Sequence, residues 1–195
     1  MDDWLNQCIR EVKAGETEAF AQIVDAYKDK VYQVAYRMVG NAQEAQDVSQ
    51  EAFIRAYTNI ERYDVNRKFS TWLFRIATNL SIDRLRKKKP DFSLDAEVNG
   101  AEGLMVTPNL LQQMALPDEQ VVTLEWQASI QNEIDTLPPK YRAAIILKYM
   151  EDLSLQEMSE ILDLPVATVK THVHRGREAL RKKLKKMVTK GRRRL

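Results

Sequence analysis

The chain has 195 residues, of which 44% are hydrophobic and 30% charged, and its formal net charge is +2. This balance is typical of soluble globular proteins, and no apolar run approaches the ~20 residues that cross a bilayer, so disordered and membrane-spanning classes are excluded. The length suits one ordinary domain or two small ones and does not suit a multidomain enzyme.

The N-terminal residues do not have the charge expected of a secretory signal peptide. Met1 to Trp4 is acidic where a secretory signal peptide would be basic, so we expect a cytoplasmic protein. Cys8 is the one cysteine, which excludes an intramolecular disulfide and a thiolate metal site. We therefore expect Cys8 to be a buried or idle thiol, and we expect no metal and no cofactor.

The first ninety residues show helical periodicity and predict one small domain. Apolar side chains recur at three- and four-residue steps from Phe20 to Met38, and Gly40 ends this helix. Asn41 can cap a second helix with Glu44 three residues later. The buried face of this second helix is predicted to contain Ala45, Val48, Ala52, Phe53 and Ala56.

A polar stretch from Glu61 to Lys68 has no periodicity and predicts a loop. Ser70 or Thr71 can start a third long helix, whose basic C-terminal end suits the helix dipole, and Pro90 closes the domain. The inward side chains of this helix are predicted to be Trp72, Leu73, Ile76, Ala77 and Leu80.

Residues 91–117 predict an extended acidic linker, because they combine glycine and proline with weak periodicity. Nine acidic residues and no lysine or arginine lie between Asp91 and Pro138, whereas twelve basic residues and one acid lie between Lys170 and Leu195. Two basic regions that flank an acidic segment indicate a nucleic-acid-binding protein whose middle segment has a separate role.

The C-terminal part predicts four helices, at about 119–136, 139–151, 155–162 and 166–186. Ser154 and Glu157 form a capping-box pattern before the third helix, and a tight turn at Leu164 and Pro165 leads to the fourth. A short capped helix, a tight turn and a second helix have the spacing of a helix-turn-helix motif.

Strand signals are nearly absent, so the predicted fold class is all-α. It consists of two small helical domains, 1–90 and 118–187, joined by the extended acidic linker 91–117 and followed by a basic tail, 188–195.

The second helix of the motif is predicted to turn Val169, Val173, Gly176 and Leu180 inward and a polar, basic face outward. Threonine, lysine, histidine and arginine offer donors for guanine and phosphate and a methyl group for thymine, which a major-groove reader needs. His172 and His174 lie ~200° apart around the helix and cannot share a metal ion, so His172 is expected to be exposed.

Three blocks of the sequence resemble the extracytoplasmic-function group of the sigma-70 family of RNA polymerase sigma factors. They span Asp47–Tyr57, Lys68–Arg86 and the helix-turn-helix from Leu153 to Arg177. The resemblance covers nearly the whole chain, and among the branches of the group it is similar to the sigma-W type. It implies a factor that is not an enzyme, binds core RNA polymerase and directs it to promoters of a cell-envelope stress regulon.

The resemblance also implies roles for individual residues. Asp47, Gln50, Glu51 and Arg55 would contact a coiled coil of the beta-prime subunit. Recognition of the minus-10 element would fall to Tyr63, Asn66, Lys68, Phe69, Ser70, Asn79, Asp83 and Arg84, with an unpaired base held by the loop. Recognition of the minus-35 element would fall to Ala167, Thr168, Lys170, Thr171, His174, Arg175 and Arg177.

The partners implied are core RNA polymerase with its beta-prime and beta subunits, promoter DNA and a membrane-anchored anti-sigma factor, with no small-molecule substrate. The acidic linker would thread the positively lined interior of the polymerase, where it could mimic nucleic acid.

A stand-alone helix-turn-helix regulator is the alternative, although it leaves the second block without a role. An enzyme acting on nucleic acid is not supported, since the sequence has no metal constellation, no nucleophile with a base and no phosphate-binding glycine loop.

Overall fold

A computed structural model of the protein describes residues 2–88 and 130–191, with side chains at 3–88 and 130–184. Within these residues the secondary structure is helical and contains no strand, which confirms the all-α class. The predicted linker, the basic tail from 192 onward and the first part of the helix predicted at 119–136 lie outside the described residues.

The N-terminal half contains four α-helices joined by short connections. They are α1 (Asp2–Lys13), α2 (Thr17–Val39), α3 (Ala42–Thr58) and α4 (Phe69–Lys88), and a 3-10 turn at Ile60–Arg62 leads into the loop before α4.

The junctions in this half follow the predicted local chemistry. Gly40 ends α2 in the left-handed region with φ 70°, which a residue without Cβ adopts without strain. Asn41 then caps α3, its side chain accepting the backbone N–H of Glu44 at 3.0 Å. Both junction predictions are confirmed, whereas α4 begins at Phe69, one residue earlier than predicted.

The C-terminal half consists of four helical segments. They are α5 (residues 130–135 of those described), α6 (Pro139–Tyr149), α7 (Leu155–Leu162) and α8 (Val166–Gly191). The bounds of α7 match the prediction, but α6 ends two residues early and α8 continues five residues beyond 186.

The two halves pack against each other through shared apolar clusters. One cluster joins Leu73 and Phe74 of α4 to Leu147 of α6 and to Met158 and Ile161 of α7. A second cluster joins the end of α2 and Leu85 to α5, α6 and α8. The sequence predicted a tether between two small domains and gave no sign of this contact.

Trp72 is partly buried and packs against the core, as predicted. Its ring centroid lies 5.1 Å from that of Tyr63 and 5.5 Å from that of Phe69. These three rings lie under the loop before α4 and fix its path.

Candidate polymerase and nucleic-acid interfaces

The helix-turn-helix is built from local hydrogen bonds that the sequence largely predicts. Ser154 accepts the backbone N–H of Glu157 at 3.2 Å, and the Glu157 carboxylate accepts the backbone N–H of Ser154 at 3.0 Å, so the predicted capping box is confirmed. In the turn, Ser159 Oγ donates to the Leu164 carbonyl at 2.6 Å. Asp163 ends α7 in the left-handed region with φ 55°.

The inner face of α8 fixes its position against α6. Val169, Gly176 and Leu180 are buried, as predicted. A Cβ on Gly176 would lie 2.7 Å from Ile145 Cγ1, so only a glycine allows this close approach of the two helices. The outer face of α8 is thereby held in a fixed orientation.

The outer face of α8 bears the predicted minus-35 residues. Ala167, Lys170, Thr171 and Arg175 are exposed on it. The remaining members, half-buried, are Thr168, His174 and Arg177.

A contact with the core beneath α8 orients the Arg175 side chain on this face. Its Nη1 lies 3.4 Å from the hydroxyl of Tyr141, a fully buried residue of α6. An arginine held at its base by such a contact loses less conformational freedom when it binds a ligand.

The prediction that His172 is exposed is wrong. The side chain is half-buried, and its ring stands edge-on to Tyr141 with centroids 5.4 Å apart. Burial, followed by the positive charges of Lys140 and Arg175, lowers the pKa of His172. Among the described residues, no group of His, Cys, Asp and Glu could hold a metal ion.

The predicted minus-10 residues differ in their exposure to solvent. Asn66, Lys68, Asn79 and Asp83 are exposed, and Ser70 and Arg84 are half-buried.

Tyr63 and Phe69 differ from the other predicted minus-10 residues, because their side chains are buried, at 5% and 2% exposure. Their rings form an edge-on pair with centroids 5.3 Å apart, and the Tyr63 hydroxyl donates to the Arg67 carbonyl. In this arrangement they support the loop from below and do not present their rings to a ligand.

The tip of the same loop is shaped by Asp64. Its side chain accepts the backbone N–H of Asn66 at 3.0 Å, and this hydrogen bond lowers the pKa of Asp64. Val65 between them is 50% exposed. An apolar side chain within a polar loop was the signal that could have added Val65 to the candidate residues.

The predicted polymerase face lies on the outer side of α3. Gln50 and Arg55 are exposed, and Glu51 accepts from Arg55 Nε at 2.8 Å. Ile54, which the sequence pattern does not single out, is 58% exposed on this helix. An apolar side chain with charged neighbours is typical of a protein–protein contact.

One ion pair links two of the predicted sites. Arg84 Nη2 lies 2.7 Å from Asp47 Oδ2, and each side chain is about two-fifths exposed. Asp47 was predicted to contact polymerase and Arg84 to contact the minus-10 element. The structure therefore places the two predicted surfaces next to each other, at the packed junction of α3 and α4.

No helix among the described residues has the length and apolar character needed to cross a membrane.

Family models match both halves of the chain. The model for sigma-70 region 2 matches residues 23–90, and a model for sigma-70 region 4 matches residues 127–180. The chain is 59% identical to the ECF RNA polymerase sigma factor SigW of Bacillus subtilis, over 95% of this chain and 99% of that relative. It is 33% identical to the RNA polymerase sigma-H factor of Pseudomonas aeruginosa, over 93% of this chain and 94% of that relative.

Two solved structures share the fold. CnrH in complex with the cytosolic domain of CnrY matches with a TM-score of 0.65 at 22% identity, over 95% of this chain and 98% of that one. The sigma factor RpoE from Bartonella quintana, in complex with the anti-sigma factor NepR, matches with a TM-score of 0.60 at 21% identity, over 87% of this chain and 98% of that one.

Proposed function

The chain belongs to the extracytoplasmic-function group of the sigma-70 family, and from this we propose that it docks on core RNA polymerase through α3 and recognises promoters through α4 and α8. It is a sigma factor, which supplies promoter recognition to the polymerase and does not itself catalyse synthesis. The observation that carries the proposed division of labour is that one chain holds two chemically different exposed faces, a mixed apolar and charged face on α3 and a Thr/Lys/Arg face on α8.

On α3, Ile54 would provide the apolar centre of the polymerase contact, with Gln50, Glu51 and Asp47 as its polar rim. Burial of an exposed isoleucine contributes roughly 1.5–3 kcal/mol, more than a rim ion pair typically adds. The charged rim then selects the partner and its orientation rather than supplying most of the affinity.

At the minus-10 element, the loop before α4 would hold an unpaired base, with Asn66 and Lys68 as exposed contacts and Val65 as an apolar neighbour. Extrusion of a base costs a few kcal/mol, so sequences that open easily are favoured. Tyr63 and Phe69 support this loop from the core, which makes their proposed role indirect.

At the minus-35 element, α8 would enter the major groove with Lys170, Thr171 and Arg175 outward. Arginine can bind guanine through two hydrogen bonds, and the threonine methyl can contact thymine. His174 and Arg177 lie half-buried on the flanks, where contact with the phosphate backbone suits them better than base readout.

The cellular setting is also part of the proposal. A factor that acts with polymerase on the chromosome works in the cytoplasm, and we propose a cell-envelope stress regulon and a membrane-anchored anti-sigma factor as its regulator. The support is the similarity to SigW and to the RpoE fold, which was solved with an anti-sigma factor. The acidic segment 91–117 is proposed to pass through the polymerase interior.

Run-off transcription with purified core polymerase on a pool of promoter fragments tests the central proposal. We expect promoter-specific transcripts that core polymerase alone does not make, and their absence would contradict a sigma factor. Tight binding of promoter duplex without polymerase would instead favour a stand-alone regulator.

The docking face can be tested in the same assay with Glu51→Arg. Reversal of this charge should reduce binding to core polymerase and the run-off signal together, because a cation then meets the surface that Glu51 would bind. Asp29→Arg, the same change at an exposed position of α2, is the control. If both variants transcribe equally, α3 is not the docking face.

A further inference from the structure

The loop before α4 begins at Tyr63, directly after the 3-10 turn. The Tyr63 ring packs on Phe69 and Trp72, and its hydroxyl donates to the Arg67 carbonyl. These contacts fix the side chain of Tyr63 and the far end of the loop. The backbone carbonyl of Tyr63, at the near end, has a partner from outside the loop.

That partner is Lys13, in the last turn of α1. Lys13 Nζ donates to the Tyr63 carbonyl at 3.3 Å and to the Glu61 carbonyl at 3.5 Å, across 50 and 48 positions of the chain. An ammonium group has three donors, so it can serve two carbonyls together. The last carbonyls of a helical turn have no partner within it and carry partial negative charge, so a cation is favoured beside them.

Helix α1 gives this contact a fixed base. Leu5, Ile9 and Val12 on its inner face belong to the same apolar cluster as Tyr63. The helix also packs against α2 and against the 3-10 turn. Lys13 itself is half-buried, so its side chain has less freedom to lose than a fully exposed lysine when it holds the loop.

The position of the Tyr63 carbonyl matters for the residues that follow it. Asn66 and Lys68, the proposed base contacts, lie within five residues of Tyr63. A shift of this carbonyl would therefore move both of them. The model for sigma-70 region 2 matches residues 23–90, so Lys13 precedes the matched part of the chain, and the family resemblance implied no role for α1.

We propose that Lys13 is a positioning residue for minus-10 recognition. It holds the Tyr63 carbonyl and thereby keeps the loop from Asp64 to Lys68 in the shape that receives an unpaired base. The inference rests on the proposed function of this loop. A loop that is already ordered loses less conformational entropy when it binds, so Lys13 adds to affinity without touching DNA.

Binding of holoenzyme to promoter DNA with abasic sites tests this role. Each base of the minus-10 element, in a promoter found by run-off transcription, is replaced in turn by an abasic site. Affinities are measured for the wild type, Lys13→Met and Lys30→Met. Methionine keeps an unbranched side chain but has no donor, and Lys30 is exposed on α2, so Lys30→Met is the matched control.

Lys13→Met should bind the intact promoter roughly two- to tenfold more weakly than Lys30→Met, which is the size of one hydrogen bond. On the abasic fragment that weakens the wild type most, the two variants should bind alike, because the loop then has no base to receive. An equal loss on intact and abasic DNA would show that Lys13 only supports the fold and would overturn the proposal. Equal binding of the intact promoter by the two variants would overturn it as well.

Hydrogen exchange in the free protein separates this inference from the proposed function. The amide of Tyr63 donates to the Ile60 carbonyl at 3.1 Å, and that of Arg67 donates to the Asp64 carbonyl at 3.0 Å. Both amides should exchange faster in Lys13→Met than in Lys30→Met, and equal exchange would show that Lys13 does not hold the loop. If exchange is faster but the wild-type holoenzyme makes no promoter-specific transcript, the proposed function and the DNA part of this inference are wrong, whereas the loop contact stands.

Discussion

Two glycines with left-handed backbones give a matched test of how tightly the halves fit. Gly40 has φ 70°, and a Cβ there would lie 2.9 Å from Asp135 Oδ2 of α5, whereas Gly15 has φ 100° and nothing within 4 Å. Gly15→Ala should cost only backbone strain, about 1–2 kcal/mol. Gly40→Ala should cost more, because Asp135 must also move. Chemical denaturation measures the free energy of unfolding of both variants. Equal losses of this free energy would mean that Asp135 can move away from the new Cβ at no cost.

Arg175 tests base reading at the level of one side chain. Arg175→Ala should relax the preference for one or two minus-35 base pairs, since a bidentate arginine–guanine contact is worth roughly 1–3 kcal/mol of discrimination. Arg181→Ala changes an exposed arginine six residues further along α8, and it should weaken all sequences alike and reduce the salt dependence of binding by roughly one slope unit. Holoenzyme affinities for single-base variants at several salt concentrations measure both effects. A uniform loss for Arg175→Ala would place the reading face elsewhere.

Residue-level prediction succeeded where the cause is local. The Asn41 cap and the Ser154–Glu157 capping box depend on groups three residues apart, so the sequence alone specifies them. The prediction that His172 is exposed failed because its neighbour Tyr141 lies 31 positions away in the chain. The burial of Tyr63 and Phe69 was not predicted, because a position next to a loop does not reveal that its ring can turn inward.

The start of α7 should be acid-sensitive through Glu157. Hydrogen bonds from Lys68, then from Ser154, lower the pKa of Glu157 from its usual 4.5 to about 2. Because the folded pKa is the lower one, this stabilisation is fully present above pH 4.5 and is lost as the pH falls toward 2. Glu157→Gln keeps the capping geometry, which glutamine also satisfies, but removes the charge.

We expect Glu157→Gln to lower the free energy of unfolding at pH 7 by roughly 0.5–1 kcal/mol and to flatten its decline between pH 4.5 and 2. Thermal unfolding at pH 7 and across this pH range measures both effects, with Glu160→Gln on the same helix as the control. If the decline in the free energy of unfolding at acid pH is the same in the variant, the contacts of Glu157 do not persist in solution.

At the level of elements, α4 shows what periodicity cannot supply. The sequence predicted one inward stripe, but Thr71, Phe74, Thr78 and Ser81 are buried as well. α4 packs against α2 and α3 of its own half and against α6 and α7 of the C-terminal half, so more than one of its sides is covered. Periodicity indicates which face is apolar, and it does not indicate that threonine and serine positions will be covered by neighbouring helices.

At the level of the whole molecule, charge segregation gives a test of the middle segment. Replacement of the acids from Asp91 to Asp118 by Asn or Gln should leave promoter binding intact and alter the ratio of abortive to full-length RNA, because it removes the negative charge that we propose mimics nucleic acid inside polymerase. Neutralisation of Glu18, Asp25 and Asp29 on α2 is the control. Unchanged abortive ratios would identify the segment as a passive tether.

The contact between the halves could not be predicted because it joins groups far apart in the sequence. Arg142 reaches the carbonyl of Met38 across 104 positions, and it is buried although arginine usually remains at the surface. Burial lowers the pKa of Arg142 and raises that of its partner Asp135, which are the marks of charges taken out of water. The local sequence pattern around Arg142 does not indicate that the Met38 carbonyl is its partner.

The separation of α4 and α7 along the chain also sets an order of events on the ribosome. Translation completes α7 about 70 residues after α4, and at 5–20 residues per second this delay is roughly 4–15 s. Until then, the side of α4 that packs against α6 and α7 has no covering partner in the nascent chain. The rate at which residues 89–162 are translated therefore determines how long this surface can associate with other chains before the protein buries it.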